Sequence, residues 1–421
     1  MQSSIKLRLT VMNFLQFAVW GAYLTSMGRY LGTAGFGSEI GNFYAMQGLV
    51  SLFMPALMGI VADRWIPAQR LLGLCHMLAG MLMLGVFLYT QTDAPSYPSL
   101  FALYSLSVAF YMPTLALSNS VAYTSLDQAG LDLVKSFPPI RVFGTVGFIC
   151  TMIAVSLLGL EATSGQFAVS AIISLVLAVY AQTLPNCPTA PKGQSKSLVE
   201  ALGLRAFVLF KQRKMALFFI FSMLLGVSLQ ITNGFANPFI STFGEIPAYA
   251  DTFGVKYANI LISLSQLSET LCILLIPFAL RRFGIRRVML IAMVAWVLRF
   301  ALLGLGNPGS GVWLFLLSMI VYGVAFDFFN VSGSLFVDKE TDPSIRSSAQ
   351  GLFMIMTNGI GATLGSLGAQ AVINRFVYSQ SDTTAILAGW TTSWYIFAAY
   401  AAVVAVLFAL LFRYNTATEA K

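Results

Sequence analysis

An all-α polytopic membrane protein of twelve transmembrane helices, arranged as two six-helix halves, is the fold this sequence predicts. Three observations carry that expectation. Of 421 residues, 57% are hydrophobic and 10% charged, against about 25% charged in a soluble domain. Apolar runs long enough to cross a ~30 Å hydrocarbon core as helix recur from end to end. A polar stretch from about Leu184 to Lys214, with Pro185, Pro188, Pro191 and Gly193, separates six such runs from six more.

The runs fall at about 9–31, 40–62, 71–91, 98–122, 137–160, 166–184, 215–238, 256–279, 287–305, 312–337, 347–373 and 388–412. The first follows Lys6 and Arg8 and continues through Phe14, Phe17, Trp20 and Tyr23 without a small-residue cleavage site, so it reads as a retained helix and not as a signal peptide. The division expected is an N-terminal bundle over 1–184, a cytoplasmic linker over 185–214 and a C-terminal bundle over 215–421.

Basic residues occupy alternate connections: Lys6 and Arg8; Arg64 and Arg70; Lys135; Lys192, Lys196, Arg205, Lys211, Arg213 and Lys214; Arg281, Arg282, Arg286 and Arg287; Lys339 and Arg346; Arg413 and Lys421. The opposite connections hold little beyond Arg29, Lys256 and Arg375. Both termini are therefore expected to be cytoplasmic. This bias accounts for the formal charge of +8, which then needs no nucleic acid to explain it.

Cys75, Cys150 and Cys272 lie in apolar runs and Cys187 opens the central stretch, with no C-x-x-C spacing. Neither a disulfide framework nor a metal site is suggested. His76 stands alone and reads as a packed or interfacial side chain. Gly361-x-x-x-Gly365 with Gly368, and Gly144 with Gly147, read as small-residue surfaces for close helix packing. Trp390 and Trp394, at the start of the last run, suit a headgroup belt.

Two acids, Glu269 and Asp327, sit inside runs that are otherwise as apolar as lipid. A carboxylate there is costly and marks function by default. Asp327 has a rival role. Counted from the cytoplasmic side at ~1.5 Å per residue, Arg299 and Asp327 reach depths of roughly 17 and 15 Å. A structural ion pair would let both charges persist inside the bundle.

Other polar residues cluster at helical spacing. Arg141, Thr145 and Phe148 share one face, as do Gln230 with Asn233 and Gln266 with Glu269, while Tyr322 and Phe326 are four apart. Amides that read ring carbonyl and N–H groups, aromatic rings that stack on a base and charged groups that hold hydroxyls suit a planar heterocycle joined to a sugar. Bridging of neighbouring helices is the alternative reading of the amides.

Gly59-Ile-Val-Ala-Asp63-Arg64, with Arg70 beyond, follows the second run, and Leu280-Arg-Arg-Phe-Gly284-Ile-Arg-Arg287 follows the eighth. Two halves with such a loop resemble the major facilitator superfamily, whose halves rock about a site near the midplane. Orientation signalling alone calls for neither Gly59 nor Asp63. More specific are Phe53-Met-Pro-Ala-Leu-Met-Gly59-Ile-Val-Ala-Asp63, Tyr111-Met-Pro-Thr-Leu, Phe137-Pro-Pro-Ile-Arg141-Val-Phe-Gly144-Thr145-Val-Gly147-Phe148, Leu229-Gln230-Ile-Thr-Asn233, Gln266-Leu-Ser-Glu269-Thr270 and Ala325-Phe326-Asp327-Phe-Phe-Asn330-x-Ser-Gly-Ser334. Over nearly the whole chain these strings resemble the nucleoside:proton symporter family.

That resemblance implies proton-coupled nucleoside uptake across the bacterial inner membrane by alternating access. It implies no cofactor, no metal and no enzymatic step, and a chain that works as a monomer. The nucleoside would contact Arg141, Thr145, Phe148, Gln230, Asn233, Gln266, Glu269, Tyr322 and Phe326. Apart from the resemblance, desolvation favours a proton on a carboxyl in a poorly hydrated cavity, which makes Glu269 the first candidate for proton coupling and Asp327 the second, beside its rival role as partner of Arg299. The pattern departs at Phe143, and Phe143 together with the stretch 239–255 is where base preference has room to differ. Family members that favour xanthosine leave the base open. A major facilitator for another small polar substrate, such as a sugar, is the alternative, against which the amide pairs and Glu269 weigh. A channel or an intramembrane protease finds no supporting motif.

Overall fold

The computed structural model describes residues 2–189, 204–343 and 345–414, with the Val134 and Ser347 side chains and that of Gln2 left aside. Part of the expected linker, including Lys192 and Lys196, and the terminal Lys421 lie outside these residues. All regular structure among the described residues is helical, and ten helices are long and apolar enough to cross a membrane.

The chain forms two compact units. The first comprises Met1–Phe36 with Leu49–Leu202, and the second Gly37–Gly48 with Gly203–Lys421.

In order, the first part of the chain gives α1 (Gln2–Gly21), α2 (Met27–Thr33), α3 (Ile40–Ser51), α4 (Met54–Arg64), α5 (Ala68–Tyr89), α6 (Tyr97–Gln128), α7 (Leu133–Leu157) and α8 (Gly165–Tyr180). The first apolar run is thus interrupted by a turn after Gly21 before helix resumes at Met27. Helix α1 packs on α6, α7 and α8, and α5 on α6 and α8. At Gly147 and Gly21 there is no space for a side chain, because the backbones of Phe14 and Phe148 lie against them. The small-residue surface expected on α7 is therefore a close crossing of α1 and α7.

The second part gives α9 (Arg213–Leu229), α10 (Ile231–Thr242), α11 (Ala258–Leu305), α12 (Val312–Glu340), α13 (Arg346–Met354), α14 (Ala362–Ile373) and α15 (Thr383–Leu411). A π-helical segment, Ile355–Gly361, joins α13 to α14, and a second, Asn374–Tyr378, follows α14. The expected loop over 280–287 is instead a break inside α11 at Gly284, where φ is 74°. A left-handed residue without a Cβ penalty is what that break requires. Beyond it, Arg286 donates from Nε to the Phe412 carbonyl at 2.6 Å and from Nη2 to the Ala409 carbonyl at 2.7 Å. One of the basic residues of this stretch therefore satisfies carbonyls left open at the end of α15.

Residues 37–48 pack against α14. The Gly41 amide donates to Gln370 Oε1, Gln370 Nε2 donates to the Gly37 carbonyl at 3.0 Å, and Thr363 Oγ1 donates to the Ala45 carbonyl at 3.3 Å. Gly41 and Gly48 lack the side chains that would strike Ser366 and Thr363. Within the same unit, Gly361 and Gly365 press on the backbone of α9 at Met223 and Val227, whereas Gly368 faces open space.

Trp390 and Trp394 correct the headgroup reading. They are 1% and 0% exposed, stack on each other at 6.4 Å and pack around Phe239. The indole N–H of Trp390 donates to Thr242 Oγ1 at 3.1 Å. Their position near a helix start was legible; the face of α15 that is buried was not.

Candidate functional site

In the second unit the residues expected to meet the substrate stand on three elements. The first is the junction of α9 and α10. Helix α9 stops at Leu229 and α10 begins at Ile231, with Gln230 as the shared cap. One helical turn places Asn233 beside it, and Asn233 Nδ2 donates to Gln230 Oε1 at 2.8 Å. The bond uses one group of each amide and leaves the Gln230 NH2 group as a donor and the Asn233 carbonyl as an acceptor.

The second element is α11. Gln266 and Glu269, three apart, are half-buried, while Leu267 between them is exposed on another face. The third is α12, where the Tyr322 and Phe326 rings stack at 5.6 Å with their planes 14° apart. Trp296 meets Tyr322 edge-on at 5.9 Å.

Two backbones are clamped where these elements meet. Ser268 donates its hydroxyl to the Ile320 carbonyl and accepts from the Gly323 amide at 3.3 Å. A Cβ at Gly323 would collide with the Ser268 backbone and with Cys272 Sγ. The absence of a side chain at Gly323 therefore sets the close approach of α11 to α12, and with it the approach of Glu269 to Asp327, which lie within electrostatic range of each other. Asp327 is 5% exposed, and its Oδ2 has no hydrogen-bond partner.

The ion pair expected between Arg299 and Asp327 does not form. Arg299 is 2% exposed. Its Nη1 donates to the Ser318 carbonyl at 2.8 Å and to Ser265 Oγ at 3.4 Å, its Nη2 donates to Thr232 Oγ1 at 3.2 Å, and its guanidinium carbon lies 4.5 Å from the centre of the Tyr322 ring. The two helices are joined by the short connection 306–311. Counted from that connection, Arg299 lies six residues before Leu305 and Ser318 six after Val312, so these two are level. At their other ends the two helices are unequal, since α12 runs 29 residues from Val312 to Glu340 and the part of α11 beyond Gly284 is shorter, so equal depths counted from there do not bring Arg299 level with Asp327.

In the first unit, Arg141, Thr145 and Phe148 follow one another along α7. The Arg141 guanidinium lies over the Phe17 ring at 4.0 Å, in the space that Gly144 leaves open. Thr145 is half-buried. Phe148 is buried and meets Trp20 edge-on at 6.3 Å, and Trp20 in turn meets Tyr111 at 6.1 Å.

Below that aromatic group runs a buried polar network which sequence spacing did not reveal. Tyr111 donates its hydroxyl to the Gln16 carbonyl at 2.8 Å, and Gln16 Nε2 donates to Thr114 Oγ1 at 2.7 Å. His76, fully buried, bonds Gln16 Oε1 through Nε2 at 2.8 Å and Ser174 Oγ through Nδ1 at 3.0 Å. His76 is thus a packed residue that ties α5 to α1 and α8. Its partners stand on separate helices, so no periodicity within one helix links them to it.

Comparison with known proteins identifies the family. The family model described as nucleoside H+ symporter matches residues 3–417. The xanthosine permease of Escherichia coli (strain K12) is 50% identical over 416 residues, covering 98% of this chain and 97% of that protein. The nucleoside permease NupG of the same organism is 47% identical over 415 residues, again with 98% and 97% coverage. Two crystal structures of the nucleoside transporter NupG superpose on this chain. One, of an aspartate-to-alanine variant, has a TM-score of 0.91 at 45% identity and covers 97% of this chain and 100% of that one. The other has a TM-score of 0.89 at 46% identity, with 98% and 100% coverage. A family match over residues 3–417, with relatives 47–50% identical over 98% of the chain, places the chain in the nucleoside H+ symporter family.

Proposed function

We propose that proton and nucleoside are coupled through Glu269 and Asp327, with the nucleoside held in the second unit by Gln230, Asn233, Gln266, Glu269, Tyr322 and Phe326. Arg141, Thr145 and Phe148 are the contribution of the first unit. Family membership sets the activity itself: the chain is a proton-coupled nucleoside transporter and not an enzyme. The substrates named for its relatives, xanthosine and nucleosides, are the ones to test here.

The observation that carries the coupling proposal is the state of Asp327. Its carboxyl is buried with Oδ2 unpartnered, Glu269 lies within electrostatic range, and the buried cation Arg299 is engaged elsewhere. A carboxylate in that position is costly as an ion, and a second acid nearby raises the cost further. A proton relieves both. Glu269, partly exposed beside Gln266, is the member of the pair that also reaches substrate, so its proton and the nucleoside influence each other's binding.

The ten candidate spans become twelve crossings when α11 is divided at Gly284 and the first helix, α1, is counted. The distribution of Lys and Arg then puts both termini on the cytoplasmic side of the inner membrane. The chain is proposed to function as a monomer.

The deciding experiment is uptake of radiolabelled uridine, adenosine and xanthosine into cells, with and without an uncoupler, by the wild type and by Asp327→Asn. Accumulation that the uncoupler abolishes in the wild type, and that is lost in Asp327→Asn at equal membrane abundance, is the outcome expected. Normal, uncoupler-sensitive accumulation by Asp327→Asn removes Asp327 from the coupling step.

A further inference from the structure

We propose that Arg299 is a positioning residue for nucleoside recognition: without touching the nucleoside, it fixes the geometry of the three elements that read it. The inference rests on the assignment of Gln230, Asn233, Gln266 and Tyr322 as nucleoside contacts.

Two bonds of Arg299 and its ring contact end on or beside those contacts. Thr232, which accepts from Nη2 at 3.2 Å, lies between Gln230 and Asn233 at the α9–α10 junction. Ser265, which accepts from Nη1 at 3.4 Å, precedes Gln266. The guanidinium covers the Tyr322 ring at 4.5 Å, on a residue that also stacks on Phe326. The bond to the Ser318 carbonyl at 2.8 Å anchors the group to α12, and Ser318 Oγ answers it by donating to the Arg299 carbonyl at 2.9 Å.

A guanidinium suits this task and an ammonium does not. Its planar fork offers donors in fixed directions while its face lies on an aromatic ring, so one side chain holds several helices at set angles. The α9–α10 junction is where such a hold has most effect. The backbone there is interrupted between two helices, and Asn233 Nδ2 and Gln230 Oε1 already use one of each amide's groups on each other. The bond from Arg299 to Thr232 leaves that pair one orientation in which to present the remaining groups. A mere stabiliser of the fold would change how much transporter is present. A positioning residue changes how well that transporter binds.

The test uses the full-length transporter in proteoliposomes, with uridine as substrate and rates normalised to folded protein measured by size-exclusion chromatography. Arg299→Lys keeps the charge but loses the fork. Thr232→Val removes one acceptor with little change in shape, and it decides the matter if Arg299→Lys does not fold. The expected result is a KM raised about tenfold in Arg299→Lys and at least threefold in Thr232→Val, with Vmax per folded transporter within twofold of the wild type. Gln230→Ala should also raise KM, and its combination with Thr232→Val should raise KM by less than the product of the two separate effects, because both act through one junction. An unchanged KM in Thr232→Val, or multiplicative effects in the combination, overturns the positioning role. An unchanged KM in Gln230→Ala points instead to the contact assignment as the failure, so the two errors are separable.

Discussion

Arg299 donates to the carbonyl of Ser318, nine residues before Asp327 on the same helix, which is roughly 13 Å along the axis at ~1.5 Å per residue. The buried cation and the buried acid of this unit therefore have separate surroundings and separate consequences. Arg299→Gln and Asp327→Asn should have additive effects on thermal stability in detergent, with Arg299→Gln costing about 1–3 kcal/mol through the carbonyl and hydroxyls it leaves unsatisfied. Recovery of stability in the double variant would show that the two side chains pair in the membrane.

Glu269 stands half-buried on the same face of α11 as Gln266. Replacing it by glutamine keeps shape and hydrogen bonding but removes ionisation. Glu269→Gln should lose concentrative uptake while exchange of labelled for unlabelled nucleoside continues across vesicles without a gradient. Normal accumulation that still collapses with an uncoupler would exclude Glu269 as a proton carrier.

The Gln230–Asn233 bond makes the two amides interdependent. Truncating either leaves the other with a vacant group and removes the proposed contact to the base, at about 1–3 kcal/mol, or roughly five- to hundredfold in affinity. Gln230→Ala and Asn233→Ala should each weaken binding by that range, read by isothermal titration, with melting temperatures close to the wild type. Wild-type affinity in both would show that the amides only bridge the backbone turn.

Gly365 and Gly368 lie on one helix with opposite surroundings. A Cβ at Gly365 would overlap the Val227 backbone, whereas one at Gly368 meets nothing within 4 Å. Gly365→Val should greatly reduce folded yield and Gly368→Ala should leave it within twofold, measured by fluorescence-detected size exclusion. Equal yields would mean that α14 does not crowd α9.

Trp394, with 0% exposure, sits among Phe239, Phe300, Phe397 and Trp390. Trp394→Ala should cost about 3–5 kcal/mol of stability, as for large aromatic truncations in a packed core. A loss below ~1 kcal/mol would restore the headgroup-belt reading.

Apolar run length and the distribution of charge determined, from sequence alone, that the chain is helical and built for a membrane, because a bilayer admits few other backbones. Helical spacing also grouped Gln230 with Asn233 and Tyr322 with Phe326, since residues three and four apart share a face wherever the helix lies. Motif resemblance supplied the family. What spacing within one helix could not give is which helices meet and at what level. The register of α12 against the outer part of α11 is set by the connection 306–311, and it carried Arg299 to Ser318 and away from Asp327. The burial of Trp390 and Trp394, the attachment of residues 37–48 to α14 and the His76 network likewise depend on contacts between segments remote in sequence. Those contacts are chosen by side-chain volume and by the glycines that let backbones approach, which is a property of the packed chain and not of any single run.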